Sequence, residues 1–239
     1  MHSSDATAFQ RARRPEQREQ RKEAILDAAE ALLREMPAAD VSLREISRRV
    51  GQSKSSVVRY FETREAVFLE ILQRARDEWL DDLQERLPAA IGEDASDTSD
   101  TSSPALHEIT DVWAQSLAER TMLCELWSML ASVLERNVSA ASIRAFKLGN
   151  REHLTRLASM IQARLPALGQ AAAEELAAAS AVLIAGLWPF AHPSPAVLEA
   201  IDDPRLTSSH IDFAAALSRN LQLVTAGLLQ LGSSGRSGR

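Results

Sequence analysis

The sequence predicts an all-α protein in two parts: a small N-terminal three-helix domain with a helix-turn-helix, and a larger C-terminal helical domain. Three observations predict it. Apolar residues make up 45% of the 239 residues, yet there is one Tyr and there are few β-branched runs. Ala, Leu, Glu, Gln and Arg dominate instead, the residues that lose least on entering a helix. Apolar positions also recur at three- and four-residue intervals through most of the chain. Finally, charge is divided unevenly: the net value is −6, but residues 1–65 hold 13 Lys/Arg against 11 Asp/Glu and the remainder holds 14 against 22. A mildly basic head on an acidic body is the asymmetry of a chain whose first module meets a polyanion.

Each element can be justified in order. Residues 1–15, with Arg11, Arg13 and Arg14, read as a flexible basic arm that either enters a minor groove or stays solvated. The first helix runs through "RRPEQREQRKEAILDAAEALLREM", with Pro15 suited to its first turn and Ile25, Ala29, Leu32 and Met36 on one stripe. Pro37 helps end it. Ser42 lies three residues ahead of Glu45, a reciprocal capping arrangement that opens a second, short helix, "LREISRRV". Gly51 permits a sharp turn, and Ser53 caps a third short helix, "SKSSVVRYF". Thr63 caps a long fourth helix through Val67, Ile71, Leu72, Trp79 and Leu83, ending near Pro88. The first domain is therefore 16–65 and the second 66–231.

A stretch at about 90–104, containing "GEDASDTSDTSSP", is too poor in apolar groups to offset its ordering entropy and reads as a mobile loop. Helices follow with Leu106, Ile109, Trp113 and Leu117; with Met122, Leu126, Trp127 and Leu134 within roughly 119–136; and with Phe146, Leu157 and Ile161 over about 138–164. Two more, "LGQAAAEELAAASAVLIAGLW" and "HIDFAAALSRNLQLVTAGLLQL", flank a Pro-rich connection. The tail 232–239 reads as disordered. The apolar run at 176–191 is short for a bilayer and ends near Pro, so a buried helix is expected and no membrane partner. The first twenty residues lack the apolar core of a signal peptide.

A single cysteine, Cys124, excludes an internal disulfide framework and points to a reducing cytoplasm. No Cys/His spacing suits zinc, and no Gly-rich phosphate loop occurs, so neither metal nor cofactor is expected. Cys124 has no sequence-adjacent base and the histidines are scattered, so catalysis is not expected either.

Two short helices about a tight glycine turn, the second with a hydroxyl-rich face, form the helix-turn-helix pattern whose second helix enters the major groove. Leu43, Ile46, Val50 and Val57 occupy the apolar register, leaving Arg44, Lys54, Ser55, Ser56, Arg59 and Tyr60 outward. Double-stranded DNA is the partner this pattern implies. An ordinary hairpin with solvated charges is the bland alternative.

Gly51, Ser53, Lys54, Phe61, Thr63, Arg64, Glu65 and Val67, preceded by "VSLREISRRV", resemble the TetR family of transcriptional regulators over about residues 20–72. The family's segment reads roughly G-V-S-K-G-T-L-Y-Y-H-F-x-S-K-E-x-L; Val58, Arg59 and Tyr60 depart from it, so operator sequence is not inherited. The resemblance implies a DNA-contacting set of Ser42, Arg44, Ser53, Lys54, Ser55, Ser56, Arg59, Tyr60 and Arg64. In it Arg44 and Arg59 read bases and Arg64 meets phosphate.

The resemblance also implies a cytoplasmic homodimer joined by a four-helix bundle from the last two long helices. Ala173, Ala177 and Ala181 recur every four residues on one, and Leu217, Leu221, Val224 and Leu228 form a stripe on the other. The helices between would enclose an effector cavity lined by Trp113, Met122, Trp127, Phe146 and Trp188, with Asn150 and His153 as polar groups; simple core is the alternative for each. The implied function is a repressor released from a palindromic operator by a small, largely apolar ligand. The alternatives are an activator or a ligand-independent regulator of the same fold and, more remotely, a sequence-independent architectural DNA protein.

Overall fold

The computed structural model describes residues 4–88 and 104–236, all helices and turns with no strand among them. The expected loop at about 90–104 lies almost wholly outside the described residues. The elements are α1 (Ser4–Glu35), α2 (Leu43–Arg49), α3 (Lys54–Val58), α4 (Arg64–Arg86), α5 (Pro104–Ala118), α6 (Thr121–Ser128), α7 (Ala140–Arg164), α8 (Gly169–Ala191), α9 (Pro195–Ile201) and α10 (Phe213–Arg236). A π-helical turn at Leu130–Leu134 follows α6, where one continuous helix was expected over 119–136.

The chain divides into two compact units. The N-terminal unit comprises Met1–Ile71 with Ser132–Ile143, and the C-terminal unit comprises Leu72–Ala131 with Arg144–Arg239. Both α4 and α7 therefore begin in the first unit and end in the second.

Two boundaries differ from expectation. The arm at 1–15 is helical from Ser4, so α1 passes through Pro15 rather than starting there. Ala6, Ala8, Gln10, Arg11, Ala12, Arg13 and Arg14 are strong helix formers and extend the helix across the proline. At the other end α10 runs through Gly232 to Arg236, where a disordered tail was expected; the regular turns before it carry the helix on.

In the N-terminal unit the core is built from Ile25, Ala29 and Leu32 of α1, Ile46 of α2, Val57 of α3, Phe61, and Val67, Phe68 and Ile71 of α4, all 2% exposed or less. Fixing Ile46 and Val57 against this core sets the crossing of α2 and α3. In the C-terminal unit α10 packs on α5 and α8, and α6 packs on α8. Its core includes Trp79, Leu80, Trp113, Leu117, Leu126 and Leu157.

Helix α8 is not the wholly buried helix expected. It presses Ala173, Leu176, Ala177, Ser180, Ile184 and Trp188 inward, while Val182 and Phe190 are 73% and 70% exposed. Together with the 3-10 turn before it, the span Pro166–Ala191 is long and apolar enough to cross a membrane by length and composition, with a mean hydropathy of 1.4. Its apolarity exceeds what this chain buries.

Candidate nucleic-acid interface

Ser42 sits in extended backbone ahead of α2 and its Oγ accepts the Glu45 N–H at 3.2 Å, satisfying one of the helix's free donors. The reciprocal half of the box is not made, because Glu45 turns to Arg48, whose Nε lies 3.0 Å away. After α2 the chain reverses at Gly51, φ +69°, a left-handed value costly for any side chain but glycine's. The Gln52 N–H donates back to the Ser47 carbonyl at 2.9 Å, pinning the turn. Ser53 then caps α3, its Oγ accepting the Ser56 N–H at 3.2 Å and touching the Ser55 and Ser56 hydroxyls at 2.9 and 2.8 Å. Thr63 does the same for α4, accepting from Ala66 N–H at 3.2 Å.

These caps present a polar face. Arg44, Ser53, Lys54, Ser55 and Arg59 are exposed; Ser42, Ser56 and Tyr60 are half-buried. Several cations of the unit are already neutralised: Lys22 by Glu70, Arg34 by Glu30, Arg48 by Glu45 and Arg49 by Glu35. The Arg49 guanidinium beside Glu35 holds that carboxyl below its usual range. Among the described residues Arg44, Lys54 and Arg59 have no such partner, nor do Arg18 and Arg21 of α1 and Arg136, so three of the unit's free cations lie on α2, α3 and its C-terminal cap.

Sequence reasoning missed Arg21 and Gln52. With Gly51, Ser53, Ser56, Arg59 and Tyr60 they line an open depression of about 450 Å³. Arg21 lies one turn before the buried Ile25 on the same stripe of α1, the signal that could have placed it here. Val58 adds an exposed apolar group, 44% accessible, on α3 between Lys54 and Arg59.

Arg64, expected to meet phosphate, is engaged within its own domain. Its Nη1 donates to the carbonyls of Ala39 and Val41 at 2.8 and 2.9 Å, and its Nε to Glu65 at 3.0 Å. It stands beside the loop leading into α2, whose bare carbonyls capture the guanidinium, so it braces the domain from within.

The residues expected to line a ligand cavity separate into groups. In the C-terminal unit Trp127 and Phe146 flank Arg76, whose guanidinium carbon lies 4.0 and 5.5 Å from their ring centres. Asn150 accepts a hydrogen bond from Arg76 Nη1 at 2.5 Å. His153 is tied through Nε2 to exposed Asp77 at 2.8 Å, with Nδ1 buried and unpartnered. Trp113 is buried with its Nε1–H unpartnered, and Met122 is half-buried. Trp188 belongs elsewhere, stacked on His192 at 3.7 Å and edge-on to Phe213 at 4.9 Å. Cys124 donates to the Leu117 carbonyl, and burial pushes its thiol up, away from the reactive thiolate.

Most of the expected dimer set is also redirected. Ala173, Ala177, Leu217 and Leu221 are fully buried and Leu228 is 8% exposed, all within a single chain. They lie on α8 and α10, which pack on one another and on α6 and α5 inside the C-terminal unit. Ala181 and Val224 are half-buried at its margin.

Residues 25–71 match the family model described as bacterial regulatory proteins, tetR family, and residues 73–231 match the tetracyclin repressor-like C-terminal domain. Similar solved structures include a transcriptional regulator from Rhodococcus sp. Rha1, 21% identical, covering 87% of this chain and 96% of that one at a TM-score of 0.49. A TetR/AcrR family regulator from Thermobifida fusca is 17% identical over 87% and 97%, TM-score 0.49. NalD, the secondary repressor of the MexAB-OprM multidrug efflux pump in Pseudomonas aeruginosa, is 21% identical over 87% and 96%, TM-score 0.41. No curated protein matches. With family models spanning both its N-terminal and C-terminal parts, the chain belongs to the TetR family and is a DNA-binding transcriptional regulator.

Proposed function

We propose that the protein is a homodimeric repressor that binds a near-palindromic operator and leaves it when a small, largely apolar ligand occupies the C-terminal unit. The observation that carries the DNA reading is the set of free cations on the helix-turn-helix: Arg44, Lys54 and Arg59 are exposed and, among the described residues, unpaired on α2, α3 and its cap. Arg44 and Arg59 are the base readers, since a guanidinium pairs bidentately with guanine N7 and O6. Val58 sits where it can meet a thymine methyl, and Lys54, Arg21 and the Ser hydroxyls fix register on phosphate.

Two recognition helices must act together to read a two-fold site. The exposed sides of α8 and α10 support the dimer seam. Val182, Gly186 and Phe190 form an i, i+4 row on α8, and Leu223, Gly227 and Leu231 form another on α10; the four large residues are 54–73% exposed. Among the described residues a Cβ added at Gly186 or Gly227 meets nothing within 4 Å, so no packing within the protomer there requires glycine. Helix rows of this spacing, opened by glycine, suit close ridge-into-groove packing against a second copy.

Repression by release needs a ligand with unequal affinity for two states, because equal affinity shifts nothing. Helix α4, which belongs to both units, is the element such a ligand would bias. Selection of bound duplexes from a random pool tests the reading. An enriched near-palindrome bound by two chains is expected, and a pool without any enriched motif sinks it.

A further inference from the structure

In the C-terminal unit Arg76 is 2% exposed, and among the described residues no carboxylate answers it. Its Nη1 donates to the neutral Asn150 amide at 2.5 Å, its flat face lies 4.0 Å from the Trp127 ring centre, and Phe146 stands at 5.5 Å. Nε–H and Nη2–H have no partner among the described residues. Those two donors share one edge of the guanidinium and point in parallel, the edge that grips both oxygens of a planar oxyanion. Burial lowers the guanidinium's pKa to about 9, so the group still carries its charge at neutral pH.

A buried cation without a counter-ion is strongly unfavourable, and buried donors in native proteins are nearly always satisfied. Buried orphans of this kind call for an explanation. The surrounding groups narrow what completes the site: aromatic rings on the flat face exclude a second charge, while the free edge demands a first. Trp113 Nε1–H and His153 Nδ1 are also unpartnered in this unit, so it has polar capacity beyond the arginine.

We propose that Arg76, through its paired Nε–H and Nη2–H, binds the carboxylate of a small apolar monocarboxylic acid inside the C-terminal unit. The inference rests on reading that unit as the sensor. Arg76 lies on α4 and its partner Asn150 on α7, the two helices that each begin in the N-terminal unit. An acid held at that edge therefore bears on both.

The test uses the full chain with straight-chain acids from butanoate to decanoate, benzoate and phenylacetate, each paired with its primary amide. Melting temperature, tryptophan fluorescence and release of an enriched duplex are read together. At least one acid should raise the melting temperature, quench fluorescence and release the duplex, its amide being weaker by about ten- to a hundredfold. Arg76→Met should abolish the difference between acid and amide. Arg76→Lys, which keeps charge but offers no parallel donor pair, should weaken acid binding and guards against a folding defect in the first variant. Asn150→Asp places a carboxylate against Arg76, and should raise the melting temperature of the free protein while weakening the acids.

If acids and amides bind alike, or the acids act on Arg76→Met as on the wild type, the anion inference is overturned and the sensor reading stands. If the duplex binds but no compound does, the anion inference fails and the DNA reading stands alone. A chain that binds neither duplex nor acid contradicts both.

Discussion

In the N-terminal unit Arg44, Lys54 and Arg59 stand exposed and, among the described residues, unpaired, whereas Arg76 of the C-terminal unit is 2% exposed with two N–H groups meeting nothing. Both are unanswered cations, but their physics is opposite. An exposed guanidinium is hydrated, so it rests at little cost and is ready for a polyanion whose counterions it displaces. A buried one has lost its water, tolerates few partners and gains greatly from the right one. Exposure suits a head that must slide along DNA before stopping; burial suits selection of one small molecule. Acidity of the whole chain hides this, because a net charge of −6 sums 27 basic and 33 acidic residues without regard to where the free cations lie.

The comparison can be broken at the joint between copies first. Val182→Glu puts a charge at the most exposed position of the α8 row and should convert dimers to monomers in sedimentation. Operator affinity should fall by more than about a hundredfold, since the second head loses its tether. Unchanged mass would move the dimer seam elsewhere.

Next in size are the readers. Arg44→Ala and Arg59→Ala should each cost about 1–3 kcal/mol on the enriched operator, measured by fluorescence anisotropy, and much less on scrambled DNA. Arg64→Ala, by contrast, should lower the melting temperature of the N-terminal unit through loss of its bonds to Ala39 and Val41. Its effect on DNA should be the same for every sequence.

Gly51→Ala forces a side chain to φ +69°, where nothing crowds the Cβ but the backbone itself resists. A loss of about 1 kcal/mol in stability is expected by thermal melting, with the recognition face displaced as well.

The smallest effect concerns pH. Glu62 accepts the Ser139 backbone N–H at 2.6 Å and the Ser142 hydroxyl at 3.0 Å, which hold its carboxyl below the usual 4.5. The unfolded chain takes up this proton first as pH falls. The contact's stabilisation is therefore complete above about pH 4.5, and it is lost as acid titrates the folded group. A titration of Glu62 by NMR should show the depressed value in the wild type and a return toward 4.5 in Ser142→Ala.

What could be read in the letters was local. Ser42, Gly51, Ser53 and Thr63 each govern a few neighbouring bonds, and caps and turns of that kind announce themselves within four residues. What could not be read was which body covers a stripe. Ala173, Ala177, Leu217 and Leu221 repeat as a dimer seam would, yet they are buried inside one chain, since periodicity reports a covered face and not what covers it. The exposed rows through Gly186 and Gly227 lie on the other sides of the same two helices. Arg76 was missed for a related reason: it keeps helical register with Leu72, Trp79 and Leu83, but a charged letter reads as solvent-facing. Pro15 misled in the opposite direction, as a start signal inside a run of strong helix formers.

Selection from one random duplex pool, run side by side with the wild type and Arg59→Ala, tests most directly the claim that the free cations of the head read sequence. The wild type should enrich a two-fold symmetric motif. The variant should keep that symmetry and spacing but lose preference at one position in each half-site. The same motif from both proteins, position for position, would contradict it.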